Sequence, residues 1–166
     1  SSVTGSVDYD TRLRLGMFQT LKGMWVELST KYAGTMLGGD NSFMELSSKY
    51  TFVKPLFDDE LLILGGSKIE FRTKLNYIFS VSNSPVPLHE RYFPGGINSM
   101  RGFGFRSLGP FIYIASNSDP QSFIRKKFGI GGNKELVCNL EYILPIFKEQ
   151  SINLVTFYDL GNAFNT

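Results

Sequence analysis

Apolar and polar residues alternate along most of this chain with a period of two. Between residues 24 and 32, the even positions carry Met, Val, Leu, Thr and Tyr, and the odd positions carry Trp, Glu, Ser and Lys. The same alternation recurs in segments 3–11, 43–54, 61–78, 136–144 and 152–160. Because successive strand residues point to opposite faces, this period predicts β-strands with one apolar and one polar face. We expect an all-β, antiparallel fold of about seven strands.

Charged residues gather on one face of the strand predicted within residues 61–78. They are Lys68, Glu70, Arg72 and Lys74, which share one parity. An unpaired buried ion costs several kcal/mol, so this face is expected to meet water. Strands of roughly ten residues suit a tilted bilayer crossing, and a polar inside with an apolar outside is typical of a transmembrane β-barrel. A soluble sandwich or lipocalin-like barrel with an apolar inside is the alternative.

Composition excludes several classes of site. The net charge of +2 predicts no nucleic-acid partner, and the single Cys138 excludes an internal disulfide. The single His89 has no nucleophile in a plausible triad setting, and no glycine motif opens a helix as nucleotide binding requires. We therefore predict no catalytic residue, no metal, no cofactor and no enzymatic activity. No apolar run approaches the length of a membrane-spanning helix, and no signal peptide is evident.

Regular alternation fails between residues 80 and 133, which predicts one long loop. Its centre interleaves aromatic residues, arginines and glycines, as in Glu-Arg-Tyr-Phe-Pro-Gly-Gly at 90–96, Ser-Met-Arg-Gly-Phe at 99–103 and Leu-Gly-Pro at 108–110. This mixture suits a folded loop with close backbone packing and an arginine that reaches a carboxylate.

These motifs resemble the inward-folded sixth extracellular loop of the BamA family of outer-membrane barrels. Two later segments extend the likeness, namely Gly-Gly-Asn-Lys at 131–134 leading into Asn-Leu-Glu-Tyr at 139–142, and Phe-Tyr-Asp-Leu-Gly-Asn-Ala at 157–163. The resemblance implies that the loop, about residues 80–132, is held by Arg101, Gly102 and Phe103. It further implies that Arg101 is placed inside the barrel against the following lumen partners: Glu141, Phe157 and Asp159. The parity of all three on the polar faces of their strands agrees.

The resemblance also implies a setting and an activity. Residues 1–166 would be part of a single barrel domain in the bacterial outer membrane, incomplete relative to a closed barrel and without POTRA modules in this chain. The protein would fold and insert β-barrel proteins, with the lipid bilayer, unfolded client barrels and accessory assembly lipoproteins as partners. The alternatives are a two-partner-secretion transporter of the same superfamily and the barrel portion of a fused lipase or other passenger protein.

Overall fold

A computed structural model describes residues 1–15, 19–34, 42–57, 66–81, 85–115, 125–147 and 152–165. Nearly all regular structure in these residues is β-strand. The strands are β1 (Ser2–Asp10), β2 (Leu13–Leu15), β3 (Gln19–Ala33), β4 (Phe43–Pro55), β5 (Lys68–Ser80), β6 (Phe111–Ala115), β7 (Arg125–Gly129), β8 (Lys134–Phe147) and β9 (Ile152–Phe164). One short 3-10 helix covers Leu88–Glu90. Within the described part of the chain, no helix is long and apolar enough to cross a membrane.

The main sheet is antiparallel and follows the order β1-β3-β4-β5-β8-β9, with β2 pairing onto β3 beside β1. Among the described residues this sheet has seven strands, as expected, although the seventh is the three-residue β2, which lies outside the six alternating segments. The register runs straight across the sheet, so that residues 29, 47 and 76 lie side by side. Among the described residues, β1 and β9 form opposite edges and do not pair with each other.

The two faces of the sheet differ sharply in chemistry. The face that carries the long loop, here called the inner face, bears the charged residues of the strands, including Glu27, Lys49, Lys74, Glu135 and Asp159. The opposite, outer face exposes large apolar side chains, namely Val3, Val7, Leu28, Leu46, Leu75, Leu140, Leu154 and Leu160. Water would disfavour such a surface, whereas lipid would favour it, because apolar area is stabilised outside water.

The buried apolar residues of the main-sheet strands lie on the inner face. Ala33, Phe43 and Ile78 form a cluster against which Val86 and Tyr92 of the loop pack. The core is therefore not a layer between two sheets. It forms where an irregular segment covers part of a polar surface.

The segment between β5 and β8 is more regular than the sequence indicates. Within the segment at about 80–132, which the sequence predicts as one long loop, β6 and β7 form a separate two-stranded antiparallel sheet. Apolar residues occupy both faces of β6, so the two-residue alternation is absent there. Phe111, Ile112, Tyr113 and Ile114 are all about half exposed. Prediction from the alternation of apolar and polar residues cannot detect such a strand.

Candidate functional site

The loop between β5 and β8 folds back over the inner face and is bonded to itself. Its first arm is fixed by a mutual pair of backbone hydrogen bonds between Tyr92 and Gly132, both of 2.9 Å. The backbone N–H of Leu108 donates to the carbonyl of Pro94 at 3.1 Å, which closes the segment between them. The amide of Gly96 donates to the carbonyl of Phe103 at 3.1 Å. These bonds give the loop a defined shape that presents its tip to the sheet.

Arg101 at the tip contacts two carboxylates and one aromatic ring. Its Nε and Nη2 donate to the Oδ2 and Oδ1 of Asp159 at 2.8 and 2.6 Å, a bidentate arrangement. Its Nη1 donates to Oε1 of Glu141 at 2.6 Å. Its guanidinium carbon lies 3.9 Å from the centre of the Phe157 ring. The planar, five-donor guanidinium is the side chain that makes a forked carboxylate contact and a ring contact at once.

Strand pairing explains why these partners converge. On the inner face, Glu141 of β8 lies opposite Phe157 of β9, and Asn139 lies opposite Asp159 two residues further along. The two carboxylates and the ring therefore occupy adjacent positions of one patch. The structure thus brings together Arg101, Glu141, Phe157 and Asp159, which we call the tip lock.

The tip lock is enclosed and strongly paired. The carboxylate side chains of Asp159 and Glu141 are only 3% and 10% exposed. The hydrogen bond to Asp159 is the main reason that the pKa of Arg101 is raised, with Glu141 adding to it against the opposing effect of burial. The backbone N–H of Arg101 also donates to Asp159 at 2.9 Å. Both negative charges are therefore balanced in place, as buried ions must be.

Gly102 and Phe103 take different parts. Gly102 has φ of 85°, a left-handed conformation that glycine adopts without strain, and the chain turns there directly after Arg101. The Phe103 side chain is about half exposed, and its backbone rather than its ring is bonded within the loop. The geometry thus assigns the direct contacts to Arg101, while Gly102 shapes the turn.

Three further residues lie at the site and were not assigned to it from the sequence, namely Arg72, Asn139 and Met100. Arg72 of β5 donates to the same Glu141 oxygen as Arg101. Asn139 Nδ2 donates to both the Ser99 carbonyl and Asp159 Oδ1, each at 2.8 Å. Met100 is buried, and its Sδ lies 3.1 Å from the position that a Cβ on Gly161 would occupy. The parity of Arg72 and Asn139 with the predicted lumen residues was a signal that could have found both.

A second group of contacts surrounds the Phe93 ring. The guanidinium carbon of Arg106 lies 4.1 Å from the Phe93 ring centre. Gly131 has φ of 65°, and a Cβ there would lie 2.7 Å from the Phe93 ring. The absent side chain therefore makes room for the aromatic ring at this point.

The arrangement offers ion pairing between the loop and two neighbouring strands. Among the described residues, no group of three or more His, Cys, Asp or Glu side chains could hold a metal ion. The carboxylates nearest the loop tip are engaged by arginine. What such a site does chemically is hold an irregular segment against the inside of a sheet.

Comparison with known proteins places this geometry in context. The whole chain, residues 1–166, matches the Omp85 superfamily domain. Over 145 residues it is 29% identical to the outer membrane protein assembly factor BamA of Nitratidesulfovibrio vulgaris, which covers 87% of this chain and 16% of that protein. Its fold is similar to the crystal structure of BamA from Haemophilus ducreyi lacking POTRA domains 1–3, with a TM-score of 0.80 and 26% identity.

That structural match covers 99% of this chain and 30% of the Haemophilus ducreyi chain. The chain thus spans less than a third of the length of either relative. The predicted fold class, an antiparallel all-β segment of a larger barrel, is confirmed by the match.

Proposed function

Because the chain belongs to the Omp85 superfamily, we propose that its protein is an outer-membrane assembly factor that folds and inserts β-barrel proteins into the bacterial outer membrane. Both relatives carry the name BamA, which favours assembly over the secretion and passenger alternatives. The proposed activity is non-enzymatic. It draws on the folding free energy of the client and needs no catalytic residue, metal or cofactor.

The tip lock is the observation that carries this proposal. An assembly factor has to keep its own barrel intact while it deforms the bilayer around it. A loop bonded from inside to β8 and β9 would resist separation of these strands, since Arg101 contacts both at once. In this mechanism Arg101, Gly102 and Phe103 form a structural lock, with Glu141, Phe157 and Asp159 as its lumen partners.

The outer face supports a membrane setting. Large apolar side chains are exposed on it across the sheet, from Val7 on β1 through Leu46 on β4 to Leu160 on β9. The charged side chains of the same strands lie on the other face. This distribution suits a barrel whose outside meets lipid and whose inside meets water. The first proposed partner is therefore the outer-membrane bilayer.

The remaining proposed partners are unfolded barrel proteins and accessory assembly lipoproteins. An incoming strand would pair with backbone groups at an open edge of the barrel, because a strand edge offers unpaired donors and acceptors. Each client hairpin would form on that template instead of in bare lipid. Nucleic acid has no place in this scheme.

The experiment that tests the proposal measures client folding in a defined system. The full-length protein is reconstituted into liposomes without nucleotide, and a urea-denatured outer-membrane barrel is added. Folding is followed by the mobility shift of the unheated client on SDS gels. We expect clearly faster folding than in protein-free liposomes, and a slower rate with Arg101→Ala.

Two results would contradict the proposal. Equal client folding rates with and without the protein would exclude assembly as its activity. Passage of an unfolded exoprotein into the liposome lumen, without acceleration of barrel folding, would favour the secretion transporter instead. A control variant, Arg106→Ala, removes a loop arginine that stacks on Phe93 away from the tip lock. It should leave the client rate close to that of the wild type.

A further inference from the structure

The first arm of the loop carries a second set of polar contacts, on different strands from the tip lock. Lys31 Nζ of β3 lies 2.9 Å from Glu90 Oε2, and Tyr92 donates through its hydroxyl to Glu45 Oε1 of β4 at 2.7 Å. Glu45 and Lys31 lie opposite each other in the strand register. We call these four residues, Lys31, Glu45, Glu90 and Tyr92, the root anchor.

Burial and packing distinguish the root anchor from a surface ion pair. The Lys31 and Glu90 side chains are 26% and 27% exposed. The Tyr92 side chain packs against the buried cluster of Ala33, Phe43 and Ile78. Burial, followed by the bond to Glu45, raises the pKa of Tyr92 further above physiological pH, where a tyrosine hydroxyl is already protonated and can donate. The contact joins apolar packing to directional hydrogen bonds.

The two sets of contacts lie on either side of β5. The root anchor contacts β3 and β4, whereas the tip lock contacts β8 and β9, and the sheet order places β5 between these pairs. The backbone bonds of Tyr92 with Gly132, of Leu108 with Pro94 and of Gly96 with Phe103 connect one set to the other through the loop. The loop therefore touches both halves of the inner face.

From this placement we propose that the root anchor is a second fixation point of the loop, and that its loss makes Arg101 leave the tip lock more often. The loop acts as a strut across β5, and Lys31, Glu45, Glu90 and Tyr92 are positioning residues. The inference rests on the proposed function only for its consequence in client assembly. The inference goes beyond the proposed function because it states that residues on β3 and β4, which Arg101 does not contact, affect the stability of the tip lock.

The test measures how often the loop tip separates from the sheet. Met100 is 2% exposed and lies next to Arg101, so a cysteine there reports opening of the tip. Met100→Cys is made in a Cys138→Ser background of the full-length protein in liposomes, and labelling by a water-soluble maleimide is timed. In Lys31→Glu, a carboxylate replaces the cation between two carboxylates. We expect the labelling rate to rise about tenfold, since a pairing is lost and a repulsion is added.

Charge reversal provides the rescue. The double variant Lys31→Glu/Glu90→Lys restores opposite charges at the same two positions and should return labelling to within about twofold of the parent. Tyr92→Phe, which removes only the hydroxyl, should raise labelling roughly two- to fivefold. This variant keeps the packed ring and therefore separates loss of the bond from misfolding.

A matched control is built into the same strands. Lys49 and Glu27 pair at 2.8 Å between β4 and β3, on the inner face. Lys49→Glu disturbs this pair without altering any contact of the described loop residues, and it should leave labelling within about twofold of the parent.

Two results would refute the proposal that the root anchor positions the loop. One is equal labelling rates of Lys31→Glu and Lys49→Glu, and the other is a double variant that does not restore the parent rate. Client folding is measured on the same samples. If Lys31→Glu does not change the labelling rate, only the positioning role of the root anchor is refuted. If Arg101→Ala folds clients at the normal rate, the role of the tip lock in assembly is refuted, but the labelling result remains valid.

Discussion

Removal of the Arg101 side chain is the most direct perturbation of the site. Arg101→Ala eliminates the two side-chain hydrogen bonds to Asp159, the one to Glu141 and the stacking on Phe157. Loss of one partner of a buried ion pair costs about 3–5 kcal/mol, because the other charge stays buried without compensation. Here the compensation is lost only in part, since Glu141 keeps Arg72 and Asp159 keeps Asn139.

These retained partners place the expected loss near the lower end of that range. The Arg101 side chain is 21% exposed, and water entering after truncation would solvate part of the freed charge. We expect a decrease of about 3 kcal/mol in the free energy that holds the loop in place. Since about 1.4 kcal/mol corresponds to a tenfold change in an equilibrium constant, the unseated population would rise roughly 100-fold.

The assay is a urea titration of the full-length protein in liposomes, followed by the mobility of unheated samples on SDS gels. Arg101→Lys should lie between Arg101→Ala and the wild type, because an ammonium cannot make the forked contact. Arg106→Ala should cost at most about 1 kcal/mol, the contribution of a stacked cation near the surface. The order of these three variants tests geometry as well as charge.

A second-site change supplies the refutation. If Asp159 is the group left uncompensated, adding Asp159→Asn to Arg101→Ala should recover part of the lost stability. A double variant less stable than Arg101→Ala, or a loss below about 0.5 kcal/mol for Arg101→Ala itself, would show that the lock contributes little.

Three smaller predictions follow from the same structure. Asn139→Ala should lower stability by roughly 1–3 kcal/mol in the same titration, because its amide bonds both the loop backbone and a buried carboxylate; equal midpoints would contradict this. Gly131→Ala should lower the free energy of unfolding more than Gly102→Ala, since both glycines have positive φ but only Gly131 is crowded, by Phe93. The opposite order of urea midpoints would show that the Phe93 ring moves freely. Leu140→Arg should lower the free energy of unfolding in liposomes by about 2–4 kcal/mol, the penalty for arginine on a lipid-facing strand. Leu140→Phe should not have this effect. If the arginine is tolerated, the outer face does not contact lipid.

The resemblance to the BamA family, read from the loop and strand motifs, is confirmed by the comparisons. The sequence was informative here because three short motifs occur in the order and at the spacing of that family. It was less informative for the two-stranded sheet of β6 and β7, because the apolar residues of β6 occupy consecutive positions and leave no period to detect. It did not indicate the root anchor: Glu90 and Tyr92 lie in one of the loop motifs, but no local pattern pairs them with Lys31 and Glu45 on the strands.

The sequence by itself determined which residues share a face of each strand, because side-chain alternation is a property of the local backbone. That is why the polar parity of Glu141 and Asp159 could be read directly. Only the tertiary structure decided the register that sets Glu141 opposite Phe157 and brings Arg72 to the same carboxylate. It also decided how far the loop reaches over the sheet. These are contacts between residues distant in the chain, and they depend on how strands and loop pack together, which no local pattern encodes.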